Sequence, residues 1–84
     1  MIAYFVACYP NFEKSLEIIK KSIDAGVNIC EIGFPTQEAS GEGIVIKNAH
    51  DHCLQRNVTL KDTIKLAKAV RNYNNDVGII LMGY

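Results

Sequence analysis

The stretch Val27-Asn28-Ile29-Cys30-Glu31-Ile32-Gly33-Phe34-Pro35 decides how this chain is read. It opens after Gly26 and closes at Pro35, two residue types that punctuate regular structure. Between them the run is almost continuously apolar, as in parallel strands covered on both faces. Glu31 breaks the pattern. A carboxylate in that setting is costly to ionise unless it is paired or faces a polar pocket. Desolvation raises the pKa of such a group, which suits a general acid. An Arg, a Lys or a backbone amide could equally satisfy it, because structural ion pairs occupy such positions too.

Working outward, the spacing predicts a first strand over residues 2–8, stopped by Pro10, with Asn11 as N-cap of a helix over 12–25. Leu16, Ile19 and Ile23 fall on one face of that helix, Glu17 and Lys21 pair on the other, and Gly26 supplies the residue after its end. After the Glu31 strand comes the polar loop Pro35-Thr36-Gln37-Glu38-Ala39-Ser40-Gly41-Glu42-Gly43. It is long for a strand-to-helix connection, and such loops usually carry function. A helix is expected over 44–56, ended by Asn57 in the left-handed conformation. Thr59-Leu60-Lys61-Asp62 reads as a capping box with Asp in place of Glu. It opens a helix over 60–73 with an apolar stripe of Leu60, Ile64, Leu66, Ala67 and Val70. A turn at Asn74-Asn75-Asp76 leads to a third strand over 77–82.

Strands alternating with helices specify an α/β protein with a parallel sheet and right-handed crossovers. An open doubly wound sheet would carry a Gly-rich turn after its first strand, but here that turn is Cys8-Tyr9-Pro10-Asn11. The expected architecture is therefore a partial (β/α)8 TIM barrel. Residues 1–84 form one partial barrel domain, the first three parallel strands with their helices.

Composition narrows the partners. Formal net charge is zero and no basic stripe exists, which speaks against nucleic acid and anionic membrane surfaces. No apolar stretch is long enough to span a bilayer, and the apolar start lacks the basic leader of a signal peptide. Cys8, Cys30 and Cys53 are odd in number and widely spaced, as expected of reduced thiols in a cytoplasmic protein. Cys8 and Cys30 read as small core hydrophobes. His50, His52 and Cys53 cluster within one turn, a poor geometry for zinc. The expectation there is no metal and helix-surface histidines, with Asn48 and His50 helping to close the barrel rim. Glu38 and Glu42 read from spacing alone as solvated loop charge.

Glu31-Ile32-Gly33-Phe34-Pro35, followed by Gly41-Glu42-Gly43 and Val45-Ile46-Lys47-Asn48-Ala49, resembles the tryptophan synthase alpha subunit family. Ser15-Leu16-Glu17-Ile18-Ile19-Lys20, Asp24-Ala25-Gly26, Asn57-Val58-Thr59 and Ile80-Leu81-Met82-Gly83-Tyr84 match as well. The resemblance covers essentially the whole chain but only about the first third of the family's barrel. It implies a lyase that cleaves indole-3-glycerol phosphate to indole and glyceraldehyde 3-phosphate in tryptophan biosynthesis. By the same match Glu31 is the acid/base, Glu42 stands where the family's Asp accepts the indole N–H, and Phe5, Met82 and Tyr84 line the indole slot.

The resemblance also implies no cofactor in this chain and a beta-subunit partner that carries pyridoxal phosphate. It departs from the family pattern in the loop. Glu42 is one methylene longer than Asp, Glu38 also replaces an Asp, and Ala39 and Ile44 replace prolines. The family's Gly-Asp-Pro becomes Tyr9-Pro10, one residue shorter. Phosphate-holding loops sit late in such barrels, so this segment alone is expected to be inactive and to bind the phosphate poorly. Open strand edges lead to the expectation of self-association or pairing with a complementary barrel piece. Two other readings are a non-catalytic homologue that activates a beta subunit through loop 35–43, and another phosphate-handling barrel enzyme.

Overall fold

A computed structural model describes residues 1–36 and 43–83. The elements are β1 (Ile2–Val6), α1 (Phe12–Asp24), β2 (Ile29–Gly33), α2 (Ile44–Gln55), α3 (Leu60–Tyr73) and β3 (Gly78–Met82). The three strands form one parallel sheet in the order β1-β2-β3, so the Glu31 strand is central.

The helix ends form where local chemistry directs. Asn11 accepts the Lys14 N–H at 2.9 Å and starts α1. At α3 the capping box is complete: the Thr59 N–H donates to Asp62 Oδ2 at 2.9 Å, and the Asp62 N–H donates to Thr59 Oγ1 at 3.2 Å. Those bonds from Thr59, backbone first, hold the Asp62 carboxyl below its ordinary pKa. Asn57 adopts φ 60 after α2, as predicted. Glu17 and Lys21 pair at 3.0 Å on the exposed face of α1.

β1 is shorter than predicted. Cys8 takes φ 62, and the Tyr9 N–H turns back to the Val6 carbonyl at 3.3 Å, so extended backbone stops at Val6. The stripe of α3 also differs. Thr63, Leu66 and Val70 face inward, while Leu60 and Ile64 are 52% and 40% exposed. Packing on the sheet sets the rotation of the helix. Thr63 can be buried because its hydroxyl donates to the Thr59 carbonyl at 3.2 Å.

Alternation along the strands sorts side chains to two faces. On one, Ala3, Phe5, Ala7, Cys30, Ile32, Val77 and Ile79 pack with Ile19 and Ile23 of α1 and with Leu66 and Val70 of α3. This is the main core. On the other, Tyr4 and Val6 of β1 meet Ile46, Ala49 and Cys53 of α2. Tyr4 lies across Gly33, where an added Cβ would fall onto the phenol. All three cysteines are free and buried, as expected for Cys8 and Cys30.

Two outcomes follow. Gly33→Ala should destabilise the chain by about 1–3 kcal/mol in urea unfolding, because the added methyl must push the Tyr4 phenol away from its contact with His50. Much of that loss should vanish in a Tyr4→Ala background; equal losses in both backgrounds would place the cause elsewhere. Cys53 supplies the second. Burial, helped by nearby Cys8, pushes its thiol from 9.0 to about 11. The folded state therefore holds this proton more tightly than the unfolded chain. The resulting stability is complete below pH 9 and is lost as pH rises towards about 11. Unfolding midpoints measured across that window should fall. Cys53→Ala should flatten part of the slope, with Cys8 and Cys30, also raised by burial, keeping the rest.

Candidate active site

In a parallel sheet all strands end on the same side, and the connections that leave those ends build sites. Here the ends are Val6, Gly33 and Met82. Register brings Tyr4, Glu31 and Ile80 into one row across the sheet, and Val6, Gly33 and Met82 into the next row on the same face. Glu31 thus stands on the face opposite the main core, at the middle of the central strand.

Glu31 is partly buried. Among the described residues its carboxylate makes no ion pair and no hydrogen bond; the two ion pairs found there are Lys21–Glu17 and Lys47–Asp51. No buried side-chain oxygen or nitrogen among those residues lacks a partner, so the Glu31 oxygens reach open space. The structural alternative of an Arg, Lys or amide partner is thus not realised within the described residues.

The surroundings of Glu31 differ from expectation in two ways. Phe5 lies on the helix side of β1, against the main core, and is not brought together with Glu31. Tyr4 is the β1 aromatic residue in the Glu31 row. Second, His50 is not a surface histidine but is fully buried. Nε2 of His50 lies 3.1 Å from Tyr4 Oη, and the Thr36 N–H donates to Nδ1 at 3.1 Å. Burial is possible because both ring nitrogens are engaged. His52 is half-buried, with Nε2 3.2 Å from the Pro10 carbonyl and the Tyr9 ring edge-on at 5.3 Å. It ties α2 to the β1–α1 turn.

Met82 is exposed on the Glu31 face, level with Gly33. Beyond it, Gly83 lies flat against Phe34, whose ring a Cβ at that position would enter, and the Phe34 N–H donates to the Met82 carbonyl at 3.0 Å. Glu38, Glu42 and Tyr84 lie outside the described residues. An apolar cleft of about 230 Å³ runs along the outer edge of β1 between α1 and α2, lined by Tyr4, Val6, Ile18, Val45, Ile46 and Ala49. Among the described residues no group of three or more His, Cys, Asp or Glu side chains could hold a metal ion.

Chemically, among the described residues the face offers the Glu31 carboxylate beside the Tyr4 phenol, with Ile80 and Met82 as apolar neighbours. That arrangement can move a proton at a flat apolar group laid on the sheet. The sequence reading named Glu31 and Met82, which share this face; it did not single out Tyr4, which shares their face, or Thr36, whose N–H meets His50. The alternation signal was available within β1, but choosing between Tyr4 and Phe5 needs the β1–β2 register.

A family profile described as tryptophan synthase alpha chain matches residues 1–84. The alpha chain of Aquifex aeolicus is 31% identical over all 84 residues, which cover 32% of that protein. That of Gluconobacter oxydans is 34% identical, with 31% of its length covered. A solved structure from Aquifex aeolicus superposes with a TM-score of 0.92 at 30% identity, covering 98% of this chain and 32% of that one. An open form of tryptophan synthase from M. tuberculosis gives 0.88 at 25% identity, covering 99% and 32%. The chain thus spans about a third of the length of these relatives. Its three parallel strands and helices match the N-terminal part of their TIM barrel. With the profile matched from end to end, this chain belongs to the tryptophan synthase alpha chain family.

Proposed function

We propose that this chain supplies the acid/base and part of the indole slot of a lyase acting on indole-3-glycerol phosphate. The observation that carries the reading is Glu31: a partly exposed carboxylate at the centre of the sheet, without a partner among the described residues, in a row with Tyr4 and Ile80. In the proposed step the Glu31 carboxylic acid protonates carbon three of the indole. The carbon–carbon bond to the glycerol chain then breaks as its electrons neutralise the ring. The Glu31 carboxylate accepts the proton of the adjacent hydroxyl, which becomes the aldehyde of glyceraldehyde 3-phosphate. Glu31 ends protonated as it began. Tyr4 and Met82 are the proposed walls of the slot, with Tyr84 beyond β3; Phe5 supports β1 from behind. Glu42 is the proposed acceptor for the indole N–H.

The step as proposed runs on side chains of this chain. A beta subunit, which carries pyridoxal phosphate, is the proposed macromolecular partner, and the cytoplasm is the proposed setting. No helix among the described residues is long and apolar enough to cross a membrane. The replacement of the family's Asp by Glu42 favours one second reading, a homologue that activates a beta subunit without turnover. Stimulation of the beta reaction with no indole released would select it.

The test places residues 1–84 in the matching segment of a related alpha chain, giving a complete barrel. Turnover of indole-3-glycerol phosphate is expected, and Glu31→Gln should lower it by roughly 10²–10⁴-fold. The melting temperature should hold, because Gln keeps the shape. Activity of the Gln variant within a few-fold of the parent sinks the assignment.

Association is the other outcome. β1 and β3 are the sheet edges, and Ile80, Leu81 and Met82 of β3 are exposed. Open edges with apolar side chains recruit further strands. Sedimentation at low micromolar concentration should show this chain heavier than a monomer, through copies of itself, and shifted again by a complementary barrel piece. A cooperatively unfolding monomer would show that these edges are tolerated.

A further inference from the structure

His50 is fully buried, titratable and unused by the proton transfer proposed above. Its neighbours on the same face of α2 are Ala49 and Cys53, so an apolar residue of similar size would serve packing alone. Instead both ring nitrogens are engaged, each at 3.1 Å, one with Thr36 N and one with Tyr4 Oη. A backbone N–H can only donate, so Nδ1 accepts and bears no proton. The neutral ring therefore keeps its proton on Nε2 and donates it to the Tyr4 oxygen. One bond reaches β1 in the row of Glu31; the other reaches the start of the β2–α2 connection. Gly33 leaves the space in which the phenol lies.

We infer that His50 is a positioning residue: it couples the tilt of the Tyr4 ring beside Glu31 to the start of the β2–α2 connection at Thr36. The ring and the connection are both bonded to one buried imidazole, so neither moves without breaking a partly buried bond. A buried unpaired donor or acceptor is costly, which makes the coupling stiff. The consequence for turnover rests on the lyase reading; the coupling itself does not.

Long-range nitrogen NMR on the histidine-labelled chain reads the tautomer directly. Nδ1 of His50 should be bare and Nε2 protonated. Tyr4→Phe, which removes a single hydroxyl, should shift the Nε2 resonance. His50→Phe should speed hydrogen exchange at the Thr36 amide by about tenfold or more. His50→Gln should restore protection, since its amide can accept from Thr36 and donate to Tyr4. In the chimeric barrel, His50→Phe should lower kcat/KM by about tenfold or more, with Gln within a few-fold of the parent. A proton on Nδ1, a resonance indifferent to Tyr4→Phe, or equal Thr36 exchange in the Phe and Gln variants overturns the inference. If the NMR results hold while the parent chimera releases no indole, the coupling stands and the lyase reading falls.

Discussion

The pairing of β2 with both of its neighbours is the constraint on which everything else rests. Each strand is only five residues long, and each β2 residue has a partner on either side. With a side-chain period of two, a slip of one residue would send Glu31 into the main core and Ile32 out of it. The apolar partners Cys30 and Ile32 forbid that slip, because they are fully buried against α1 and α3. The position of the carboxylate is thus enforced by the burial of its two neighbours. This is how a costly polar residue can be kept in the middle of an apolar strand.

The second face is organised differently. Among the described residues, α2 packs at the β1 end, where Ala49 and Cys53 meet Tyr4 and Val6. Among the described residues, the Tyr4 and His50 polar groups on this face meet each other. Gly33 has no side chain, so the Tyr4 phenol can lie over it and meet His50. His52 fastens the same helix to Pro10. A helix whose first residues, Ile44 and Val45, are exposed is therefore held by its middle, close to where the Glu31 row begins.

Free cysteines add to this packing without adding reactivity. Cys53 is fully buried, its sulfur 3.5 Å from the Ala7 carbonyl, and burial keeps it protonated well above neutral pH. In contrast, β3 is the weakly covered part of the sheet. Its last three residues are exposed on both faces, while at the same positions of β2 Glu31 is partly buried and Ile32 and Gly33 are buried. The main core lies between β1, β2, α1 and α3, and β3 is the strand whose side chains are most exposed.

The sequence by itself determined the element order, most helix boundaries and the placing of Glu31 within a strand. Those features are local. Asn11 and the Thr59–Asp62 pair satisfy backbone donors within a turn, and the apolar run around Glu31 is a strand wherever it is placed. The family resemblance was legible for the same reason, since its motifs are contiguous. Only the tertiary structure decided which aromatic residue of β1 faces Glu31, because that depends on strand register and not on β1 alone. It also decided the burial of His50: nothing in α2 marks that position as different from a surface histidine. Its partners, Tyr4 and Thr36, are 46 and 14 residues away along the chain. The face of α3 was misread for the same physical reason. Leu60 and Ile64 are apolar at helical spacing, but the sheet accepts Thr63, Leu66 and Val70. Contacts between elements, not the residues of one element, select which side is buried.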